Sequence, residues 1–175
     1  VHVIRPATPL DALALESLCA GLFREHAARY PDAYPPDDPL RAAAHYAGVY
    51  RHRLTDDPNC LVWLACDRAP VGFLAAEVWT RAVGQPTTVC FVEWWYVLPE
   101  ARGHGTGRAL EARLGVELRA RGVTHVELLS VPSDRQWARR GWRAVSVRYA
   151  RAVDDVLRDL DAVAGGDPPS EEPTP

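Results

Sequence analysis

The spacing of apolar residues changes several times along the chain, and each change marks an element. Residues 1–5 alternate and are β-branched, which predicts an edge strand. Pro9-Leu10-Asp11 opens a helix, with Asp11 as its N-cap. Leu13, Leu15, Leu18, Leu22 and Phe23 supply its apolar stripe as far as Tyr30. Four prolines, Pro31, Pro35, Pro36 and Pro39, forbid a regular helix across the next segment. A second helix is predicted over 40–54, ending before Asp56-Asp57-Pro58-Asn59.

The second half reads as strands around one good helix. Residues 60–66 form a nearly continuous apolar run, the pattern of a buried strand. After a turn at Asp67-Arg68-Ala69-Pro70, residues 71–80 pair back as a hairpin. Residues 87–98 are rich in Val, Trp, Tyr and Phe and predict the longest strand. Leu110, Leu114 and Leu118 stripe a helix over 105–121, with Gly122 where a C-cap glycine belongs. A strand over 123–131, a short helix over 133–140, a closing strand over 142–152 and a terminal helix over 153–163 follow. Residues 165–175 are rich in Gly, Pro, Ser and Glu and read as a disordered tail behind a single domain spanning 1–164. The resulting order, β-α-α-β-β-β-α-β-α-β, predicts a mixed α/β (α+β) sheet with an antiparallel first half and a crossover helix in the second.

Composition narrows the class. With 175 residues the chain fits one domain, and 47% hydrophobic with 25% charged residues is ordinary for a globular protein. No apolar run reaches the ~20 residues of a membrane helix. No basic stretch leads an apolar signal core, so a cytoplasmic protein without membrane attachment is expected. A net charge of −3 offers nucleic acid no basic face. The cysteines Cys19, Cys60, Cys66 and Cys90 form no CxxC pair. Cys60 and Cys66 lie ~20 Å apart along one strand and cannot bridge. All four read as reduced, mostly buried residues. His26, His45 and His52 have no metal-ligand spacing, so no metal is expected.

The informative stretch is Glu93-Trp94-Trp95-Tyr96-Val97-Leu98-Pro99-Glu100-Ala101-Arg102-Gly103-His104-Gly105-Thr106-Gly107-Arg108. A strand enters a Gly-rich turn and the turn opens a helix. The first N–H groups of a helix lack internal partners, and the helix dipole adds positive potential there. Glycines let that backbone approach a bulky anion, so the turn is a cradle for phosphate or pyrophosphate. Two phosphate motifs are excluded: the chain has no Lys for a Walker loop, and the last Gly of GxGxxG is missing.

In this context Arg102-x-x-Gly105-x-Gly107 resembles the (Arg/Gln)-x-x-Gly-x-(Gly/Ala) acetyl-CoA motif of the GCN5-related N-acetyltransferase superfamily, and the element order resembles that family over residues 3–149. Glu93-x-x-Tyr96-Val97-x-Pro99 is similar to its aminoglycoside 6′-N-acetyltransferase branch. The resemblance implies a central mixed, mostly antiparallel sheet flanked by helices and splayed between the fourth and fifth strands. It implies acetyl-CoA as co-substrate. Main-chain amides from Gly103 and His104 through Gly105, Thr106, Gly107 and Arg108 would bind its pyrophosphate, with Arg102 facing phosphate. Backbone groups of Tyr96, Val97 and Leu98 would hold the pantetheine arm, and an amide near Tyr96 or Val97 would polarise the thioester carbonyl. A homodimer is a common arrangement in the family.

The implied reaction is direct acyl transfer to a primary amine, whose proton needs a base. Glu93 is the first candidate, directly or through a water. It sits in an apolar strand where an unpaired carboxylate is costly, and such surroundings bring carboxyl groups toward a useful range for proton abstraction. The competing reading is a structural carboxylate paired with an Arg. The family's general acid is a Tyr four residues before a late Gly-Phe pair; here that pair is Gly141-Trp142 and the position is Trp137, which cannot donate the proton. An Asn seven residues earlier in the family is Ser130. Tyr96 and Tyr149 are the substitutes, or solvent protonates the thiolate. Strand alternation puts Trp95 on the face of Glu93, making Trp95 the acceptor-pocket residue, with Tyr34 from the loop between the first two helices. Asp32, Asp37 and Asp38 in that loop would favour a cationic small-molecule amine. Alternatives are a catalytically silent acyl-CoA-binding module, a protein or peptide N-acetyltransferase, or a different phosphate ligand on the same turn.

Overall fold

The structure is a computed structural model that describes residues 2–31, 38–81 and 87–128. All of them belong to one compact unit, Val1–Ser130. Among the described residues five strands form one sheet in the order β1-β2-β3-β4-β5: β1 is Val3–Pro6, β2 Cys60–Cys66, β3 Pro70–Arg81, β4 Thr87–Val97 and β5 His125–Leu128. The first four are antiparallel neighbours and β5 joins β4 in parallel. Helix α1, Ala12–Arg29, and helix α2, Pro39–Asp56, precede β2; helix α3, Thr106–Ala120, is the crossover from β4 to β5. This is the predicted mixed, mostly antiparallel sheet flanked by helices.

Alternation along the strands sorts the core into two layers. On one face Cys60, Val62, Leu64, Phe73, Ala75 and Tyr96 pack with α1 and α2 through Leu15, Leu18, Leu22, Ala43, Ala47 and Tyr50. On the other, Leu61, Trp63, Ala65, Leu74, Ala76 and Val92 meet Leu110, Leu114 and Leu118 of α3. β2 is buried on both faces, which is why its sequence shows no alternation.

The helix ends differ from expectation at one point. Residues Pro9–Asp11 form a 3-10 turn before α1, and the Asp11 carboxylate caps none of the α1 N–H groups. It turns back to accept from the Thr8 N–H at 2.8 Å and from Arg5 at 2.6 and 2.9 Å. Asp11 therefore ties the helix entry to β1. At α2, Asp38 is the N-cap, accepting from the Leu40 and Arg41 N–H groups, with Pro39 at the first position, where no N–H is needed. Gly122 follows α3 with φ 69°, the left-handed residue expected there.

The four cysteines are free thiols. Burial pushes those of Cys19 and Cys90 up to about 12 and that of Cys60 up to about 11, so they stay protonated. No helix among the described residues is long and apolar enough to cross a membrane. Tyr34, Ser130, Trp137, Tyr149, the elements expected after β5 and the tail lie outside the described residues.

Candidate active site

The register between β3 and β4 slips once. Ala75 faces Trp94 and Ala76 faces Val92, so Glu93 is an extra residue, a β-bulge. The bulge overturns the simple alternation. Trp94 packs with the α1/α2 layer, as does Tyr96, while Trp95 and Val97 pack with the α3 layer. Glu93 bonds to α2 side chains and so shares its face with Trp94. Trp95 is on the opposite face, beneath the Gly-rich turn, where a Cβ on Gly107 would lie 3.6 Å from its indole nitrogen.

Glu93 is not an unpaired carboxylate. Oε2 accepts from the Tyr50 hydroxyl at 2.9 Å, and Oε1 lies 3.5 Å from Nη1 of Arg53. Arg53 also binds Asp57 through two nitrogens, at 2.9 and 3.0 Å, and Glu77 at 2.9 Å. Three carboxylates thus surround one guanidinium, and the Glu93 side chain keeps 25% of its exposure. Burial, then the Glu93 charge, raises the Tyr50 phenol far above its ordinary range, so it stays a proton donor. Neither Tyr50 nor Arg53 was singled out from the sequence, because each meets Glu93 across 40 or more residues. One signal was present: Ala43, Ala47 and Tyr50 form an i, i+4, i+7 buried stripe on α2, ending in a polar atom that needs a partner.

Beside Glu93 lies a group of rings. Trp94 meets Phe23 edge-on at 5.1 Å and Tyr46 at 5.4 Å, with His26 at 6.3 Å. Burial lowers the pKa of His26, which favours its neutral form. These rings come from α1, α2 and β4.

The other end of β4 carries the turn. Gly103 and Gly105 have φ of 79° and 81°, and a Cβ on either would meet nothing within 4 Å. Their need for glycine is conformational, and no described residue crowds the space above them. Gly105 is the N-cap of α3; the first helical bond runs from Ala109 N–H to Gly105 C=O at 2.9 Å. The N–H groups of Thr106, Gly107 and Arg108 thus have no intrahelical acceptor. Thr106 pins the turn from below: its buried hydroxyl donates to Ala101 C=O at 2.9 Å. With that proton used, the 2.8 Å contact to His2 Nδ1 requires His2 to be the donor. His104 is exposed in the turn.

Arg102 departs from its expected place at the phosphates. Its guanidinium binds Glu25 of α1 at 2.5 and 3.1 Å, donates to Val97 C=O at 2.8 Å and lies 5.5 Å over the Tyr96 ring. It clamps the end of β4 to α1. The Tyr96 phenol is buried beside α1, where a Cβ on Gly21 would lie 2.7 Å from its oxygen. Burial raises its pKa, which makes it a poorer acid than a free tyrosine, and its side chain is a packing group here.

The main chain of β4 also differs from expectation. Leu98 N–H donates to Val71 C=O at 2.8 Å. In an antiparallel ladder bonding direction alternates, so Tyr96, opposite Phe73, also turns its N–H and C=O to β3. The groups of Trp95 and Val97 face the other edge. Paired β5 residues run from His125 opposite Val89 to Leu128 opposite Val92; a splay beyond that would involve residues outside the described set. Among the described residues no three His, Cys, Asp or Glu side chains gather as a metal site.

Comparison with known proteins agrees with this arrangement. The acetyltransferase (GNAT) family model matches residues 20–144. Aminoglycoside N(6′)-acetyltransferase type 1 of Stenotrophomonas maltophilia is 37% identical over 113 residues, 62% of this chain and 62% of that protein, so the match spans about three-fifths of the relative. Among solved structures, an acetyltransferase from Vibrio fischeri is 28% identical, covering 72% of this chain and 95% of its own, with a TM-score of 0.55. A GCN5-related N-acetyltransferase from Ralstonia eutropha superposes with a TM-score of 0.65 at 21% identity, covering 87% of this chain and 99% of its own. With the bulged strand, the glycine turn and the crossover helix in one arrangement, and a family match over more than half its length, the chain belongs to the acetyltransferase (GNAT) family.

Proposed function

We propose that the protein is an acetyl-CoA-dependent N-acetyltransferase that acts on a primary amine of a small molecule. The observation that carries this is the pairing of two features on one strand: a bulge that aims Glu93 at the α1/α2 face, and an open glycine turn at the strand's far end. Acetyl-CoA supplies the activated acetyl group as a thioester. The N–H groups of Thr106, Gly107 and Arg108 form an anion cradle that fits its pyrophosphate. Trp95 and the N–H of Val97, whose C=O accepts from Arg102, offer the main-chain edge along which the pantetheine arm would lie, in place of Tyr96 and Leu98.

Glu93 takes the proton of the attacking amine, directly or through one water. The local charge supports a cationic acceptor: Asp57, Glu77 and Glu93 face a single Arg53. The rings of Trp94, Phe23 and Tyr46 give that face an apolar wall, so Trp94 replaces Trp95 as the acceptor-side aromatic. The similarity to an aminoglycoside acetyltransferase makes amine-bearing sugars the first acceptors to test.

Substituting Glu93→Gln keeps the shape of the side chain and removes its basicity. Turnover on the best acceptor should fall by about 10²–10⁴. Acetyl-CoA affinity, measured by titration calorimetry, should stay within about twofold, because the cradle is on α3. Equal turnover would remove Glu93 from the mechanism.

A further inference from the structure

The Tyr50 hydroxyl meets Glu93 from a fixed place in the core. Tyr50 is 1% exposed and sits in the core between α2 and the sheet, yet its hydroxyl ends on a carboxylate that keeps a quarter of its side-chain exposure. A phenol has one proton to donate, and Oε2 of Glu93 receives it at 2.9 Å. The core fixes the donor, so the bond fixes the acceptor. The bulge makes the meeting geometric: by adding one residue to β4 it turns Glu93 and Trp94 to the same face, toward α2.

Arg53 does not do the same work. Its contact to Oε1 is long, at 3.5 Å, while Asp57 and Glu77 hold it at 2.9–3.0 Å. Oε1 thus meets Arg53 only at the long end of the hydrogen-bond range and keeps acceptor capacity for a further proton donor. We propose that Tyr50 is a positioning residue for acetyl transfer, holding Oε2 of Glu93 so that Oε1 is the oxygen that receives the amine proton. This rests on the reading of Glu93 as the base. Among the described residues the charged and titratable groups that face Glu93 are Tyr50 and Arg53 from α2, with Asp57 beyond it, Cys60 from β2 and Glu77 from β3. Of these, Tyr50 is the one that donates to Glu93 at normal hydrogen-bond length.

The test compares Tyr50→Phe, Glu93→Gln and the wild-type chain over pH 5–9, with an amine-bearing sugar or the best amine of a panel. A donor to a carboxylate stabilises its charged form, so removing it raises the pH at which the base ionises. Tyr50→Phe should move the acidic limb of kcat/KM upward by about one pH unit. It should lower kcat about tenfold while leaving KM for the amine and the Kd of acetyl-CoA unchanged. Replacing Tyr50 with 3-fluorotyrosine, a stronger donor of the same shape, should keep kcat and move the limb the other way. The 13C shift of the Glu93 side-chain carboxyl, titrated without any acceptor, should show the same two displacements. An unmoved limb and an unmoved carboxyl titration in a folded Tyr50→Phe protein would overturn the proposal while leaving the base intact. Full activity of Glu93→Gln would overturn both.

Discussion

Gly105 tests the cradle directly. Its φ is 81°, and a Cβ placed there meets nothing within 4 Å, so substitution meets conformational strain and no clash. An L-residue in the left-handed region costs about 1–2 kcal/mol. Gly105→Ala should therefore lower Tm by about 2–8 °C for a chain of this size. The strain is relieved most easily by rotating the turn, which swings the N–H groups of Thr106, Gly107 and Arg108 off their common focus. Acetyl-CoA Kd should rise by about tenfold, the equivalent of ~1.4 kcal/mol, with Gly105→Val worse because its side chain is β-branched. Gly115 supplies the internal control: it lies within the same helix, a Cβ there also meets nothing within 4 Å, and its φ is not positive. Gly115→Ala should stabilise by about 0.4–1 kcal/mol and leave Kd alone. Titration calorimetry and thermal melts on the three variants separate the outcomes. If Gly105→Ala loses stability but binds acetyl-CoA like wild type, the turn is a structural corner and the cradle reading is wrong.

Two further predictions concern the scaffold. A Cβ on Gly21 would stand 2.7 Å from the Tyr96 oxygen and 3.1 Å from two of its ring carbons, so Gly21→Ala should destabilise by about 1–3 kcal/mol. Adding Tyr96→Phe removes the nearest atom, so in urea unfolding the double variant should lose less than the sum of the singles; strict additivity would mean the contact is not made. Arg5, then the Thr8 N–H and hydroxyl, hold the Asp11 carboxyl well below its usual range. A depressed carboxyl stabilises above its unfolded value and loses that contribution as pH falls below it, so the stability of wild type should drop below about pH 4. Asp11→Asn should be less stable at pH 7 and show a shallower acid loss; an identical acid profile would dismiss the Arg5–Asp11 pair as a stabilising contact.

Most elements were legible because their signals are local. The Leu110, Leu114 and Leu118 stripe marks α3 by its period, and the bounds Thr106–Ala120 fall within a residue of expectation. β2 and β3 announce themselves by apolar runs broken at a turn. Asp11 stands at the N-cap position of α1 as its place in the sequence suggests, but its carboxylate does not cap, because Thr8 and Arg5, which lie before the helix, take it up. The turn glycines were legible as well, since positive φ and an open approach are demands on single residues.

The sequence by itself determined the order of strands and helices as far as β5, the glycine turn at the start of α3 and the membership of Glu93 in the strand that leads there. Each depends on residues within a turn or two of one another. The tertiary structure alone decided which face each side chain serves. One extra residue at Glu93 reverses the alternation, exchanging Trp95 for Trp94 beside the carboxylate. The ladder to β3 takes up the main-chain groups of Tyr96 and turns those of Trp95 and Val97 to the other edge. Strand period is a parity, and a bulge changes parity without leaving a mark in composition. Partner choice was likewise beyond the sequence. Tyr50 and Arg53 reach Glu93, and Glu25 captures Arg102, only because α1 and α2 pack across one face of the sheet. Those contacts join residues 40–77 positions apart, and nothing in a local pattern specifies a pairing at that distance.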